Sequence, residues 1–206
     1  MVNTASSSTA TKGRGRPREF DMDMALDRAV LVFRERGYHA TSIGDLSEAM
    51  KLASGSLYKA FGDKRAIFLA AFERAGMVRG ETLRRIIGTA KPARDRIRDA
   101  LTFYAEASYG VEGKRGCIVV GSAAELTTLD ADVAKRVTAS LHKSESLMAD
   151  LIQQGQSDGS ISAALDSATT ARLMLCLLQG MRVVGKTGRS RKEMTEVADA
   201  AMKLLV

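Results

Sequence analysis

Residues 41–64 read TSIGDLSEAMKLASGSLYKAFGDK and decide how this chain folds. Ser42, followed three residues later by Asp45, has the spacing of a capping box at the start of a helix. Apolar residues then recur at helical spacing as far as Met50, which allows a first helix of about two turns. The pattern breaks at residues 51–53, and three small residues then open a second short helix. The stretch therefore predicts two short helices joined by a tight turn.

The second of these helices has an inward and an outward face. Leu57 and Phe61, four residues apart, share the inward face. The outward residues offer hydroxyl groups, an aromatic ring and an ammonium group, which suit phosphates and base edges. They are Ser54, Ser56, Tyr58 and Lys59. The second helix therefore has the composition of a surface that contacts nucleic acid.

The run Gly55-Ser56-Leu57-Tyr58 is followed by Phe61 and by Lys64 at the start of the next helix. This combination closely resembles the helix-turn-helix of the TetR/AcrR family of bacterial transcription regulators. The resemblance covers roughly residues 20–75, and the remainder agrees only in the number and spacing of its helices. It implies an all-α protein that binds DNA through the second helix of the pair.

The turn at residues 51–53 and residue 60 depart from the family pattern. The family usually has Gly-Val-Ser where this chain has Lys51-Leu52-Ala53, so the turn lacks a glycine and the second helix lacks its usual cap. Ser54 is then the candidate cap. Ala60 stands where the family commonly has an aromatic residue or histidine. One of the family's usual phosphate contacts is therefore not expected in this chain.

The resemblance also implies a domain organisation. We expect a disordered basic arm in residues 1–19, a three-helix helix-turn-helix DNA-binding domain in residues 20–66, and a larger helical effector-binding and dimerisation domain in residues 67–206. By family habit, the protein would be a repressor that a small, largely apolar effector releases from a palindromic DNA operator. The expected phosphate contacts are Thr41, Ser42, Tyr58, Lys59 and Lys64, and the residues expected near base edges are Ser54, Gly55 and Ser56.

The basic residues of the amino-terminal arm suggest a second mode of DNA binding. Arg14-Gly15-Arg16-Pro17, with Lys12 and Arg18 beside it, resembles an AT-hook that lies in the minor groove of A·T-rich DNA. A solvated basic tail explains the same residues, because short motifs recur by chance. An architectural DNA-binding protein that relies on this arm is therefore an alternative to a sequence-specific regulator.

Composition agrees with a helical, DNA-binding protein. The 206 residues include two prolines and many residues that lose little conformational freedom in a helix, and 45% of them are hydrophobic. No convincing alternating strand pattern is present. The formal charge of +7 suggests a polyanionic partner, although basic proteins often bind nothing acidic. Charge alone therefore leaves nucleic acid as one of several possible partners.

Membrane and catalytic functions have little support in the sequence. The amino terminus lacks the apolar core of a secretory signal, and the most apolar run, residues 173–178, is far shorter than the ~20 residues that span a bilayer. We therefore expect no membrane partner and a soluble, cytoplasmic protein. His39 and His142 are far apart, and no catalytic, phosphate-binding or metal-binding motif is present. We expect no enzyme activity, no cofactor and no metal.

Helices beyond residue 64 are expected from caps and apolar spacing. Asp63 would cap a long helix, a loop is expected at residues 111–116, and a turn at residues 155–159 would end another helix. The predicted helical segments are 21–36, 92–110, 117–124, 130–154, 167–184 and a last helix opened by the capping box Ser190-x-x-Glu193.

The two helices at the carboxyl end are expected to form a homodimer. The segment 167–184 is apolar nearly all round, so it must be buried on more than one side. Gly180 and Gly185 would allow the backbone of a partner to approach closely. By resemblance, these two helices of each copy pair as a four-helix bundle. The alternative is that both simply complete the core of a monomer.

A cavity for the effector is expected within the larger domain. Its candidate lining residues are Phe103, Tyr104, Ala107, Cys117, Val120, Met148, Leu177 and Met181. Aromatic and methionine residues at helical spacing are more often core residues than ligand contacts. Cys117 and Cys176 are too few for a disulfide framework. Cys117 is either an ordinary small core residue or a redox or electrophile sensor with Arg115 as its nearby cation.

Overall fold

The computed structural model describes residues 21–88 and 90–206. Those residues form helices connected by short loops, and they contain no strand. The all-α prediction is confirmed. The candidate arm residues Arg14, Arg16 and Arg18 lie outside the described residues. The helices are α1 (Met22–Arg36), α2 (Ile43–Met50), α3 (Ser54–Phe61), α4 (Lys64–Ile87), α5 (Ala93–Glu106), α6 (Gly110–Arg115), α7 (Ile118–Glu125), α8 (Ala131–Asp158), α9 (Ser167–Val184) and α10 (Arg191–Ala201), with 3-10 turns at Gly185–Thr187 and Met202–Leu205.

The predicted caps start the helices. Ser42 and Asp45 form the complete capping box of α2, and Ser190 and Glu193 form that of α10. The Asp63 side chain accepts a hydrogen bond from the backbone N–H of Ala66, as expected for the start of α4. These short-range pairings fix where α2, α4 and α10 begin.

Two predicted loops are helical instead. Residues 110–115 form α6, in which Gly113 is buried so tightly that a Cβ there would lie 2.6 Å from the carbonyl oxygen of Ser108. Helix α8 continues through Gly155 to Asp158, because Gly155 leaves room for Ile161, whose Cδ1 would lie 2.5 Å from an added Cβ. Gly113 and Gly155 are therefore required by close packing, whereas Gly116 and Gly159 end α6 and α8 with a positive φ.

Two apolar cores hold the helices together. The first joins α1, α2, α3 and the first half of α4 to α7 and the start of α8. The second joins the end of α4 and most of α5 to the second half of α8 and to α9 and α10. Because α4 and α8 contribute to both cores, the helix-turn-helix does not stand apart from the rest of the chain.

The expectation that Gly185 allows the backbone of a partner to approach closely is wrong. A Cβ on Gly185 would lie 2.3 Å from the carbonyl oxygen of Ser108 in the same chain, so Gly185 is required within the subunit. Gly180 differs, because a Cβ there would have no neighbour within 4 Å. Of the two glycines, only Gly180 leaves space on the outer side of α9.

Candidate functional site

Helix α3 exposes almost its whole circumference. Leu57 is fully buried against the first core and anchors the helix, and Phe61 packs against the same core. Tyr58 is 52% exposed, which is a large fraction for an aromatic side chain. The remaining candidate contacts are also exposed; they are Ser54, Gly55, Ser56 and Lys59. The structure therefore brings all five predicted α3 contacts together on one solvent-facing surface.

The amino terminus of α3 has no side-chain cap. Ala53 occupies the N-cap position, and Ser54 is the first residue of the helix, so the expectation that Ser54 is the cap is wrong. Lys51 ends α2 in the left-handed region, with a φ of 58°, in place of the glycine usual in the family. The backbone N–H groups of an uncapped helix start, together with the helix dipole, favour an anion such as a phosphate.

Thr41 does not belong to this surface. Its side chain is only 1% exposed, and its hydroxyl group donates a hydrogen bond of 2.6 Å to the carbonyl of Gly37. The expectation of a phosphate contact from Thr41 is corrected, because the hydroxyl is enclosed between α1 and α2. Ser42 is exposed, with its hydroxyl hydrogen-bonded to the Asp45 carboxylate at 2.8 Å.

Lys64 has a structural role that sequence reasoning missed. Its ammonium group donates hydrogen bonds to the carbonyls of Tyr38 and Thr41, at 3.0 and 2.9 Å, and lies 4.3 Å from the centre of the Tyr38 ring. These contacts fasten the α1–α2 connection to the start of α4. Only the remaining N–H bond of this ammonium group is available to a DNA phosphate.

A cavity of about 320 Å³ lies between α1, α4, α5 and α7 and reaches α9. Four of the predicted effector residues line it, and these are Phe103, Tyr104, Ala107 and Cys117. The volume is at the small end of the range for ligand pockets, about 300–1,000 Å³. The carboxyl half of α5 and the start of α7 therefore form a candidate effector site.

The other four predicted effector residues do not line this cavity. Met148 and Met181 are fully enclosed in the second core, and Leu177 packs against that core. Val120 is half-buried in α7 without facing the cavity. Apolar residues at helical spacing occur in a core as readily as in a pocket, and Met148, Met181 and Leu177 belong to the core.

Three arginines that the sequence analysis did not select, Arg34, Arg79 and Arg182, also line the cavity. Arg79 of α4 places a guanidinium nitrogen 3.8 Å from the sulfur of Cys117. Arg182 of α9 is buried, and it donates a hydrogen bond of 2.6 Å to the carbonyl of Gly116. Arg182 lies in a helix that is apolar nearly all round, so its unusual position was visible in the sequence. Arg79 lies among other charged residues of α4 and offered no such signal.

Cys117 occupies the N-cap position of α7, half-buried beside the cavity. Burial alone would raise the pKa of its thiol, but Arg79, Arg182 and the backbone N–H groups of Val120 and Val119 outweigh burial and lower that pKa. The cation beside the sulfur is Arg79 and not Arg115 as expected. Arg115 is instead paired with Glu35 and Glu112, at 2.9 and 2.6 Å.

The far end of α7 contacts the connection between α1 and α2. Glu125, its last residue, accepts hydrogen bonds from the backbone N–H groups of Tyr38 and His39, at 3.0 and 2.7 Å. Gly37 lies so close that a Cβ there would be 2.7 Å from the same carboxylate. Helix α7 therefore runs from the cavity to the connection that precedes α2.

Comparison with known proteins assigns the chain. The sequence model of the bacterial regulatory proteins of the tetR family matches residues 25–71, which include α2 and α3. The model of the tetracyclin repressor-like C-terminal domain matches residues 93–201, about half of the chain. The chain belongs to the TetR family. It is therefore a transcription regulator of a family whose members are not enzymes.

Two similar proteins extend this TetR-family assignment along the chain. The HTH-type transcriptional repressor ComR of Escherichia coli (strain K12) is 27% identical over 186 residues, which cover 90% of this chain and 89% of ComR. The solved structure of a cysteine mutant of the TetR family transcriptional regulator CifR, complexed with 26-bp double-strand operator DNA, is 31% identical. It has a TM-score of 0.83 and covers 93% of this chain and 100% of the CifR chain.

The fold recurs in a more distant solved structure. The reduced form of Escherichia coli NemR has a TM-score of 0.76 at 19% identity and covers 89% of this chain and 96% of the NemR chain. At that identity, the likeness shows the fold alone. In the described part of this TetR-family chain, no group of three or more His, Cys, Asp or Glu residues could hold a metal ion. No helix of the same residues has the length and apolar character to cross a membrane.

Proposed function

We propose that this TetR-family regulator is a homodimeric, sequence-specific repressor that a small-molecule effector releases from a palindromic operator. One observation carries the proposal: α3 exposes all its predicted contact residues around a single buried anchor, Leu57, and its amino terminus is uncapped. The similar protein ComR is a repressor by name, and the CifR structure contains operator DNA. Both support the proposal.

In this proposal α3 enters the major groove with its amino terminus leading. Ser54, Gly55 and Ser56 then lie nearest the base edges, and Tyr58 and Lys59 contact phosphates on either side. Ser42 and the remaining N–H bond of Lys64 would add phosphate contacts at the margin of the same surface. Two-fold symmetry would place the two half-sites about 34–36 Å apart.

The dimer is proposed to form through α9 and α10. Helix α9 exposes Leu173, Cys176 and Val183, and the half-buried Gly180 lies between the last two, so that these residues follow one another at spacings of three, four and three. In the final segment Ala200 and Leu204 are exposed four residues apart. A continuous apolar stripe on a soluble protein marks an interaction surface. The second copy would cover it with the same stripe, as in an isologous interface.

The effector is proposed to act through α7. A ligand in the cavity beside Cys117 would bias the position of α7, and Glu125 would carry the change to the α1–α2 connection. Release of DNA follows if the ligand binds more tightly to the conformation in which the two α3 helices no longer fit the operator. The boundary between the two expected domains, residues 20–66 and 67–206, would lie within α4.

Redox or electrophile sensing by Cys117 is a second candidate for the signal. The observation that favours it is the guanidinium group of Arg79 beside the sulfur, at 3.8 Å, in a cavity that a small electrophile could enter. A cation at this distance stabilises the thiolate, which is the reactive form. Modification of the thiol would then add bulk at the start of α7, in the place that a reversible effector would occupy.

Selection of bound fragments from random duplex DNA by the purified protein tests the proposal. The selection is repeated at two salt concentrations, because phosphate contacts weaken with salt more than base contacts do. Recovery of a palindrome that survives higher salt supports a sequence-specific dimer. Recovery of only A·T-rich DNA that is lost at higher salt contradicts it, and favours an architectural protein that binds through residues 1–19.

A further inference from the structure

The cavity beside Cys117 contains two guanidinium groups without a carboxylate partner. Arg182 is 6% exposed, and its Nη1 atom is buried without any hydrogen-bond partner, whereas its Nη2 donates to the carbonyl of Gly116. Arg79 contacts the Cys117 sulfur and the Ser140 hydroxyl, at 3.8 and 3.4 Å. Among the described residues, no carboxylate lies within 4.0 Å of a nitrogen of either side chain.

The acidic residues at the cavity wall are already occupied. Glu112 pairs with Arg34 and with Arg115, at 2.9 and 2.6 Å. Asp27 accepts hydrogen bonds from Arg74 at 2.7 and 2.9 Å. These pairs neutralise the third arginine of the wall, Arg34, and leave the charges of Arg79 and Arg182 uncompensated.

Burying such a group is costly. An unpaired, buried guanidinium loses its hydration without gaining a counter-ion, and an unsatisfied N–H costs more on a charged group than on a neutral one. The Cys117 thiolate can compensate one of the two positive charges, because Arg79 lies 3.8 Å from its sulfur and the charge of Arg182 also acts on the thiol. One positive charge remains next to an apolar wall that includes Phe103 and Tyr104.

We propose that this cavity binds a small aromatic carboxylate, with the carboxylate held by Arg182 and Arg79 and the ring packed against Phe103 and Tyr104. A carboxylate matches the forked N–H groups of arginine, which bind it through two parallel hydrogen bonds. The ring fills the apolar remainder of a cavity of about 320 Å³. The effector is thus an organic anion instead of a largely apolar molecule.

Calorimetric titration of the purified full-length protein tests the site. The probes are benzoate, phenylacetate and 2-naphthoate, and each is matched with its neutral amide, in a buffer without phosphate and low in chloride. We expect at least one carboxylate to bind at least tenfold more tightly than its amide. Equal affinity of every carboxylate and its amide, or no binding of any carboxylate, would overturn the proposal.

Substitutions locate the binding. Arg182→Met and Arg79→Met should each weaken carboxylate binding at least tenfold, whereas Arg98→Met, on the exposed side of α5, should leave it unchanged. Arg182 also holds the Gly116 carbonyl, so each variant is first checked by circular dichroism and thermal unfolding. If Arg182→Met does not fold, the affinity of Arg79→Met alone decides whether the arginines hold the carboxylate. Wild-type affinity in the folded arginine variants contradicts the assignment.

Two further measurements separate this site from its alternatives. Cys117→Ser removes the competing thiolate, so carboxylate binding should be retained or strengthened; its loss would mean that the thiol, not the arginines, holds the ligand. Inorganic phosphate and chloride are titrated separately. Complete competition by either at millimolar concentration would indicate a site for simple inorganic anions and overturn the proposal that the ligand is an aromatic carboxylate.

The identification of this carboxylate as the effector rests on the proposed repressor function, and the two can fail separately. DNA release is measured by fluorescence anisotropy with the selected operator and the same carboxylate. Binding without release would leave the anion site in place and contradict its role as the effector site. A selected palindrome with no carboxylate binding would overturn this inference and leave the repressor function standing.

Discussion

Cys117 and Glu125 lie at opposite ends of the same helix, α7, and each contacts a different part of the protein. Cys117 lies at the start of the helix, beside the cavity. Glu125 lies at its end, where its carboxylate accepts hydrogen bonds from the backbone N–H groups of Tyr38 and His39. A helix of eight residues is short and stiff, so a shift at one end is passed to the other. The Glu125 carboxylate is therefore one point at which a signal from the cavity would reach the DNA-binding helices, besides the wall of the cavity that α1 itself forms.

Replacement of Glu125 should separate signal reception from DNA release. In Glu125→Ala, we expect ligand binding or Cys117 modification to proceed as in the wild type, while the resulting loss of DNA affinity becomes severalfold smaller. The physical reason is that the α1–α2 connection no longer has either hydrogen bond to α7. Operator affinity is measured by fluorescence anisotropy, with and without the signal.

Glu81→Ala provides the control for this variant, because Glu81 is exposed on α4. It should respond to the signal like the wild type. A full wild-type response in Glu125→Ala would show that α7 transmits the change by another route, and an equal reduction in both variants would indicate a nonspecific effect of removing a carboxylate.

Removal of single side chains from the outer face of α3 should weaken operator binding without unfolding the protein. We expect Tyr58→Ala and Lys59→Ala each to lower affinity on the order of tenfold, because both side chains are exposed and neither supports the core. Lys59→Ala should also reduce the slope of log affinity against log salt by about 0.9, because one DNA phosphate would no longer be neutralised. Both are measured by anisotropy over a range of salt concentrations.

Lys114→Ala is the matched control for Lys59→Ala, because Lys114 is an exposed lysine of α6. It should change neither the affinity nor the slope. Unchanged affinity in both α3 variants would contradict the assignment of α3 as the DNA-reading helix.

The thiol of Cys117 should react faster than an ordinary cysteine near neutral pH. Arg79 and Arg182 lower its pKa, so the thiolate persists at a lower pH than usual and the rate of alkylation falls only when the pH drops below that lowered pKa. In Arg79→Gln the midpoint of the pH–rate profile should move upward. Iodoacetamide labelling, followed by peptide mass spectrometry, measures the rate at each pH.

N-acetylcysteine in the same solution serves as the reference thiol, because the exposed Cys176 of α9 would be covered by the second copy in the proposed dimer. The profile of N-acetylcysteine should be the same beside the wild type and beside Arg79→Gln. An unmodified Cys117 in the native protein, or an identical profile with and without Arg79, would exclude Cys117 as a sensor.

The sequence was most informative where the signal is local. Capping boxes, N-cap aspartates and apolar spacing predicted α1, α2, α9 and the start of α10 nearly to the residue. Each of these depends on residues three or four apart in one helix. The face of α3 could be predicted for the same reason, because one turn of helix decides which side chains point outward.

Positions that depend on distant residues could not be predicted. Lys64 is drawn to the carbonyls of Tyr38 and Thr41, which lie 26 and 23 residues before it in the chain. The partner of Cys117 is Arg79, which lies 38 residues away in the chain, rather than nearby Arg115. Such pairings follow from how α4 and α7 pack, and helical spacing carries no information about them.

A charge on the outer face of α9 should dissociate the proposed dimer. Val183 is 52% exposed, and in a dimer it would be desolvated against the partner subunit. We expect Val183→Glu to shift the protein toward monomer and to weaken operator binding at least tenfold, because each half-site would then be bound independently. Sedimentation velocity measures the assembly, and anisotropy measures the DNA affinity.

The control substitution is Val111→Glu, which makes the same change at a 67% exposed valine of α6. It should leave both quantities unchanged. If Val183→Glu remains a dimer at micromolar concentration, the interface does not include this face of α9.

Lys51 is the one non-glycine residue with a positive φ in the described ranges, and it ends α2 just before α3. A side chain in the left-handed region costs roughly 1–2 kcal/mol, and glycine avoids that cost. Lys51→Gly should therefore raise the free energy of unfolding by about 1 kcal/mol, measured by urea unfolding without DNA. Lys59→Gly, within right-handed α3, should instead lower it by about 0.5–1 kcal/mol. A destabilised Lys51→Gly would mean that the lysine makes a compensating contact, and that the α2–α3 turn depends on its side chain.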